Sequence, residues 1–361
     1  MERTFPEIKK ALGFGFMRLP QKNEQIDLEE TCHLVDLFLE AGFNYFDTAH
    51  PYFQGKSEEA IRDCLASRYP RDRFLLANKL SAPYFETAEE IRPLFELQLN
   101  LCGVEYFDFY LMHAMNLERH EKFLQMGAYD IARQLKAEGK IRHLGFSFHD
   151  TPEVLEQMLT DCPDMEFVQL QINYADWENH RVQSRRCYEI CRSHGKPVMV
   201  MEPVKGGSLV QLPQEGAALI KGSPASFAIR YAASLPGVEV VLSGMSDAAQ
   251  VLDNTGYMAD FQPLTEEEQA LVPTLRTLYQ SQHRIPCTAC SYCTDGCPAG
   301  IPIPDIFAQV NSSRSREPIA PDMSVIAQAA NCLSCGQCTE ACPQHLEIPK
   351  LLEELDKIFN P

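Results

Sequence analysis

Two cysteine runs near the C-terminal end constrain this 361-residue chain more than any other feature. Cys287, Cys290, Cys293 and Cys297 precede Pro298, and Cys332, Cys335, Cys338 and Cys342 precede Pro343. Both read C-x2-C-x2-C-x3-C-P. Thiolates at this spacing wrap a 4Fe-4S cube, because each two-residue step lets the backbone turn and present the next sulfur to another iron. Zinc fits less well, since it takes four ligands in two pairs around one ion and has no use for the third close cysteine or the trailing Cys-Pro. Fourteen cysteines would suggest disulfides in a small secreted chain. Eight of them fall in the two runs, however, and the opening MERTFPEIKK shows no apolar stretch after its charges, so a cytoplasmic protein with metal-ligating cysteines is expected.

The runs resemble those of bacterial ferredoxins, in which the fourth cysteine of each run crosses to the other cluster. The resemblance implies two 4Fe-4S clusters, one on Cys287, Cys290, Cys293 and Cys342, the other on Cys332, Cys335, Cys338 and Cys297. Residues 298 to 331 are longer than the linker of a compact ferredoxin and contain the helix-like stretches IPDIFAQVN and SVIAQAAN, which points to a helical ferredoxin-like module. The other six cysteines, Cys32, Cys64, Cys102, Cys162, Cys187 and Cys191, share no ligand spacing. Cys187 and Cys191 lie four apart on an expected helix and read as two small apolar residues on one face.

With 45% hydrophobic and 23% charged residues, the rest of the chain has the composition of a globular protein large enough for one big domain and one small one. No apolar run is long enough for a membrane span. A net charge of −18 repels nucleic acid and anionic lipid, so neither is an expected partner. From residue 10 to about 260, short apolar runs alternate with amphipathic stretches. The runs lie around Leu12 and end at Asp47, Lys79, His113, Ser147, Asn173, Glu202 and Gly244. The spacer LEETCHLVDLFLEAG has a helical rhythm at Cys32, Val35, Leu39 and Phe43, closed by Gly42. Eight such units over roughly 250 residues are the length of a TIM (β/α)8 barrel, an α/β fold. An open doubly wound sheet is the rival, but no G-x-G-x-x-G follows the first strand. A barrel keeps its chemistry at the C-terminal strand ends, where Asp47, Lys79, His113 and Ser147 interrupt apolar sequence.

The segments GFGFMRLP (13–20), FDTAHPY (46–52), LANK (76–79) and LMH (111–113) resemble the aldo/keto reductase signature. The resemblance covers roughly the first 260 residues and implies a catalytic tetrad of Asp47, Tyr52, Lys79 and His113. Carbonyl reduction needs a hydride at carbon and a proton at oxygen, and an unperturbed tyrosine, with a pKa of about 10, holds its proton too tightly. A neighbouring ammonium favours the phenolate, a carboxylate keeps that ammonium charged, and the histidine polarises the carbonyl. Taken singly, Asp47 reads as a helix cap, Lys79 as a surface charge and His113 as a core histidine; together they read as a site.

The same resemblance implies an NADP or NAD site. Ser147 and Gln169 would hold the nicotinamide carboxamide, with Asn173 beyond them. Glu202, Val204, Lys205 and Gly206, in EPVKGG, would form the pyrophosphate loop, and Ser243, Met245, Ser246, Gln250 and Asn254 would meet the adenosine end. Two departures stand out. The adenosine segment lacks basic residues for a 2′-phosphate and carries Asp247. The family's Ser-Asn pair is Ser147-Phe148 here, followed by His149; His149 and His50 are two rim imidazoles that either touch substrate or stay solvated. The expected domains are a barrel (1–262), a linking helix (263–284) containing LTEEEQA, and the 4Fe-4S module (285–361). The expected activity is reduction of a small carbonyl substrate by NAD(P)H. Because a hydride carries two electrons and a cluster passes one, three roles for the clusters stand open: relay from a ferredoxin or flavodoxin partner, exchange through a flavin that no sequence feature selects, or structural stapling. The alternatives to the whole reading are a ferredoxin-coupled oxidoreductase without nicotinamide, and an electron carrier or redox sensor on a non-catalytic barrel.

Overall fold

The computed structural model describes residues 3–313 and 319–359. Residues 1–2, 314–318 and 360–361, parts of the expected first and last domains, lie outside the described residues. By contacts the chain divides into two compact units: Met1–Glu178 with Gln183–Pro203 and Ala228–Leu264, and Asn179–Val182 with Val204–Phe227 and Thr265–Pro361. The linear division assigns 204–227 to the barrel, whereas in space they group with the tail.

In the first unit, eight parallel strands close into a barrel: β1 (Leu12–Gly15), β2 (Tyr45–Asp47), β3 (Leu75–Leu80), β4 (Phe107–Met115), β5 (Ile141–Phe148), β6 (Phe167–Gln171), β7 (Val198–Met201) and β8 (Val238–Ser243). Each pairs with the next, and β8 and β2 both flank β1. This is the (β/α)8 fold that the repeating pattern predicts. The strands are buried on both faces, which is why they read as apolar runs. Their inward side chains, among them Tyr45, Phe109, Leu111, Phe167, Met199 and Leu242, form one cluster with Phe5 and Ile8. Burying each of these large side chains contributes about 1.5–3 kcal/mol. Gly13 is required there: a Cβ would stand 2.7 Å from Leu242 and 2.9 Å from Tyr45.

The helices between strands are α1 (Leu28–Glu40), α2 (Lys56–Ile61), α3 (Ala88–Cys102), α4 (Leu117–Gln125), α5 (Ala128–Ala137), α6 (Pro152–Asp161) and α7 (Ser184–Ser193), with α8 (Gln214–Leu219) and α9 (Pro224–Ala233) between β7 and β8, and α10 (Ala248–Ala259) after β8. α1 starts at Asp27, whose side chain accepts from the Glu30 N–H at 3.2 Å, and ends before Gly42, whose φ of +85° suits glycine. Its apolar face buries Leu34, Val35, Phe38 and Leu39. Cys187 and Cys191 are buried on one face of α7, as the spacing predicts, and burial pushes the Cys187 thiol up to about 12. Cys32 and Cys64, which carry no shared motif, are joined as a disulfide between α1 and the turn after α2. Among the described residues, no helix is long and apolar enough to cross a membrane.

The second unit contains α11 (Glu266–Ala270), entered through a Thr265/Glu268 capping box, and α12 (Val272–Gln280). Beyond these come α13 (Tyr292–Asp295), α14 (Ile303–Ser313), α15 (Met323–Ile326), a 3₁₀ turn over Ala327–Asn331, α16 (Gln337–Glu340) and α17 (Ile348–Phe359). The two helix-like stretches between the runs are helical, as expected. Ile303, Ile306, Phe307, Val310, Ile326 and Leu352 form a core against which the ligand cysteines pack.

Candidate active site and cluster sites

Three strand ends and the turn after one of them bring the tetrad together. Asp47 closes β2, Lys79 lies near the end of β3 and His113 in the last third of β4, and Tyr52 opens the 3₁₀ turn Tyr52–Gly55 that follows β2. Lys79 is 1% exposed, and its Nζ donates to Asp47 Oδ1 at 2.6 Å, to the Thr48 carbonyl at 2.7 Å and to the Tyr52 hydroxyl at 3.4 Å. The ammonium also lies 4.9 Å from the centre of the Tyr52 ring. Burial lowers the Lys79 pKa and raises that of Asp47, and the contact between the two opposes both shifts by favouring the charged forms.

The His113 ring meets the Tyr52 ring edge-on at 6.1 Å, and its Nδ1 is 2.6 Å from Ser81 Oγ. Burial first, then the charges of Lys79, Arg119 and His149, hold its pKa well below the usual imidazole value, so the ring is neutral. Immediately beyond it the backbone turns left-handed at Ala114 (φ +52°), whose N–H donates to Ser147 Oγ at 2.7 Å and whose carbonyl accepts from Arg119. Such strain in a non-glycine residue gathers where a site dictates the backbone.

The cofactor candidates fall into three groups. Ser147 and Gln169 stand directly opposite each other on β5 and β6. Gln169 is 3% exposed, and its Oε1 has no hydrogen-bond partner among the described residues. A buried orphan acceptor costs free energy until a donor arrives, and a carboxamide NH2 is such a donor. Asn173 is already committed: it donates to Asp176 Oδ2 at 2.8 Å and to the Glu202 carbonyl at 3.1 Å, and accepts from the Asp176 N–H at 2.9 Å. Glu202 follows β7 with φ +56° and pairs with Arg18 at 3.6 Å. At the β8 end, buried Asn254 donates to Ser243 Oγ at 3.1 Å, and Met245 is buried. Ser246 N–H donates to Gln250 Oε1 at 2.9 Å, while Gln250 Nε2 donates to Asp247 Oδ2 at 2.7 Å. Val204, Lys205 and Gly206 belong to the second unit. There Lys205 donates to Gln344 at 2.7 Å, and Gly206 (φ +61°) runs so close to Thr288 that a Cβ would lie 2.7 Å from its carbonyl oxygen.

The cysteine runs fold as a structural repeat. Ala289 and Ser334, Ser291 and Gly336, and Gly300 and His345 hold corresponding places in the two runs, and all six have positive φ. These left-handed residues turn the backbone on either side of the second cysteine and after the fourth. Cys287, Cys290, Cys293 and Cys342 line one pocket, and Cys297, Cys332, Cys335 and Cys338 line another. Four thiol donors converging on each pocket suit a cube in each.

Three polar residues of the site carry no motif. Ser81 partners His113, Asp176 gathers Gln171 and Asn173, and Glu58 is fully buried beneath the rim. Only Glu58 left a periodic signal, since it shares the i, i+3, i+7 face of Ile61 and Leu65 while Glu59 is exposed.

Barrel, rim tetrad and paired cysteine cavities define an oxidoreductase built on a reductase barrel with an iron–sulfur tail. The chain belongs to the aldo/keto reductase family, whose model matches residues 11–221, and a 4Fe-4S dicluster domain matches residues 286–346. It is similar to the NADH-specific methylglyoxal reductase of Escherichia coli (26% identical, covering 55% of this chain and 63% of that protein). It also resembles the 9,11-endoperoxide prostaglandin H2 reductase of Trypanosoma cruzi (26% identical, covering 73% and 87%). Among solved structures, the holo form of aldo-keto reductase AKR11C1 from Bacillus halodurans superposes with a TM-score of 0.60 at 25% identity, covering 74% and 92%. An aldo-keto reductase from Klebsiella pneumoniae in complex with NADPH shares the fold (TM-score 0.58, 22% identical, covering 74% and 95%).

Proposed function

We propose that this protein reduces the carbonyl group of a small molecule, with Tyr52 as proton donor, and that its eight run cysteines hold two 4Fe-4S clusters. The Lys79 ammonium, set between Asp47 and the Tyr52 hydroxyl, carries the reading. Bound with its carboxamide against Gln169 and Ser147, a nicotinamide dinucleotide supplies the hydride. Tyr52 gives its proton to the carbonyl oxygen, and Lys79 stabilises the phenolate left behind. With Nδ1 accepting from Ser81, neutral His113 keeps its hydrogen on Nε2 and offers it to the same oxygen. The clusters supply one-electron exchange, with a ferredoxin or flavodoxin as partner. A cytoplasmic location accompanies this reading, because thiolate ligands persist in a reducing compartment.

The test is Tyr52→Phe in anaerobically prepared protein. Turnover with NADH and NADPH falls about 10²–10⁴-fold while nicotinamide binding persists; unchanged turnover would refute the reading. A second reading, in which no nicotinamide binds and electrons enter through the clusters, draws on the adenosine segment, where Ser246 and Gln250 are tied to Asp247 and Arg18. Titration with NAD(P)H separates the two, since tight binding without cluster bleaching supports the first and no binding supports the second.

A further inference from the structure

One rim imidazole outside the tetrad has a support built under it. His50 stands between Asp47 and Tyr52 in the chain, with its side chain 14% exposed. Its Nδ1 lies 2.7 Å from Oε2 of Glu58, a carboxylate with no exposure at all. The other Glu58 oxygen accepts from Asn78 Nδ2 at 2.8 Å and Gln98 Nε2 at 3.1 Å. Gln98 also donates to the Lys79 carbonyl at 3.0 Å and accepts from the Tyr110 hydroxyl at 2.6 Å, so the carboxylate belongs to the framework that carries Lys79. Two amide donors on Oε1 leave Oε2 to the imidazole, which places the hydrogen on Nδ1. Nε2 then has no hydrogen-bond partner among the described residues. On its other side the ring packs edge-on against Tyr84 at 4.6 Å. A solvated surface histidine needs neither a fully buried carboxylate nor an aromatic wall, and a buried carboxylate is costly unless its hydrogen bonds are complete.

We infer that His50 is a specificity-determining substrate contact, and that through Nε2 it selects carbonyl compounds carrying a second oxygen group, a hydroxyl or a carboxylate, with Glu58 as its positioning residue. The inference rests on the carbonyl-reductase reading and names the substrate class of that same site. A neutral ring accepts from a hydroxyl through Nε2, and a protonated ring donates to a carboxylate.

Three two-carbon probes differ only in this group: acetaldehyde, glycolaldehyde and glyoxylate. The experiment compares wild-type holoprotein with His50→Asn and His50→Gln under anaerobic conditions with NADH and NADPH. An asparagine amide stands where Nδ1 stood and keeps the Glu58 bond but falls short of Nε2, whereas a glutamine amide reaches the Nε2 position. His50→Asn lowers kcat/KM for glycolaldehyde or glyoxylate at least about tenfold, mainly through KM, and leaves acetaldehyde within about twofold. His50→Gln recovers part of the loss. Whichever probe falls further identifies the oxygen group. An equal fall for all three probes, or no fall for any, overturns the inference. Wild-type protein that reduces benzaldehyde but none of the three overturns the inference alone, and wild-type protein that reduces no aldehyde overturns the reading beneath it.

Discussion

Burial pulls Lys79 toward the neutral amine, and the Asp47 carboxylate at 2.6 Å pulls it back. Replacing Asp47 by Asn removes the opposing charge and leaves desolvation in command, so Lys79 loses its proton at lower pH. The alkaline limb of the pH–kcat profile therefore moves to lower pH in Asp47→Asn, and an unmoved limb would separate Lys79 from proton transfer. His113 has the opposite relation to stability. Its folded pKa lies well below the unfolded value of about 6.5, so at acid pH the unfolded chain binds a proton that the folded chain refuses. Its contribution is complete above about pH 6.5 and declines below it, by up to about 1.4 kcal/mol per pH unit for one proton. Urea unfolding at pH 7 and 5.5 measures this: wild type loses more stability between the two than His113→Gln. Asp47, Lys79 and His113 were legible because each breaks an apolar strand at its end. Ser81 and Asp176 were not, because a polar residue in a loop looks the same buried or solvated until its neighbours are placed, and Glu58 left only its place on the apolar face of a short helix.

At the scale of elements, all eight strands announce themselves as apolar runs, while the backbone where they end does not. Ala114 and Glu202 turn left-handed just past the apolar stretches of β4 and β7, in residue types that carry no preference for that geometry. Strand interiors are more readable. Gly13 in β1 faces Leu242, Val240 and Tyr45 with no room for a methyl group. Gly13→Ala therefore destabilises the barrel by about 1–3 kcal/mol, seen as a lower urea midpoint at unchanged m-value. A neutral result would mean that those side chains move aside freely. The stretch between β4 and β5 shows where periodicity falls short: two helices, α4 and α5, meet at Gly127 (φ +63°), a break that only a left-handed glycine reveals.

For the whole molecule, the crossed cysteine sets give the clearest prediction. Anaerobically purified protein carries about eight iron atoms and as many acid-labile sulfides per chain. Because Cys342 lines the cavity of Cys287, Cys290 and Cys293, Cys342→Ala disturbs that cluster, and iron falls toward about four while the cluster near Cys332 persists. Loss of the cluster near Cys332 instead would mean that the runs do not cross. The sequence by itself determined the repeating units of the barrel, the cysteine spacing and the residue types at the strand ends, since these are periodic or local signals carried by a few neighbouring residues. Only the tertiary structure decided that Glu58 lies wholly buried under His50, that Gln169 keeps an unpaired oxygen while Asn173 does not, and that residues 204–227 group with the tail. Each of those outcomes depends on which distant side chains share a small volume with a polar atom, and that is settled when the sheet closes.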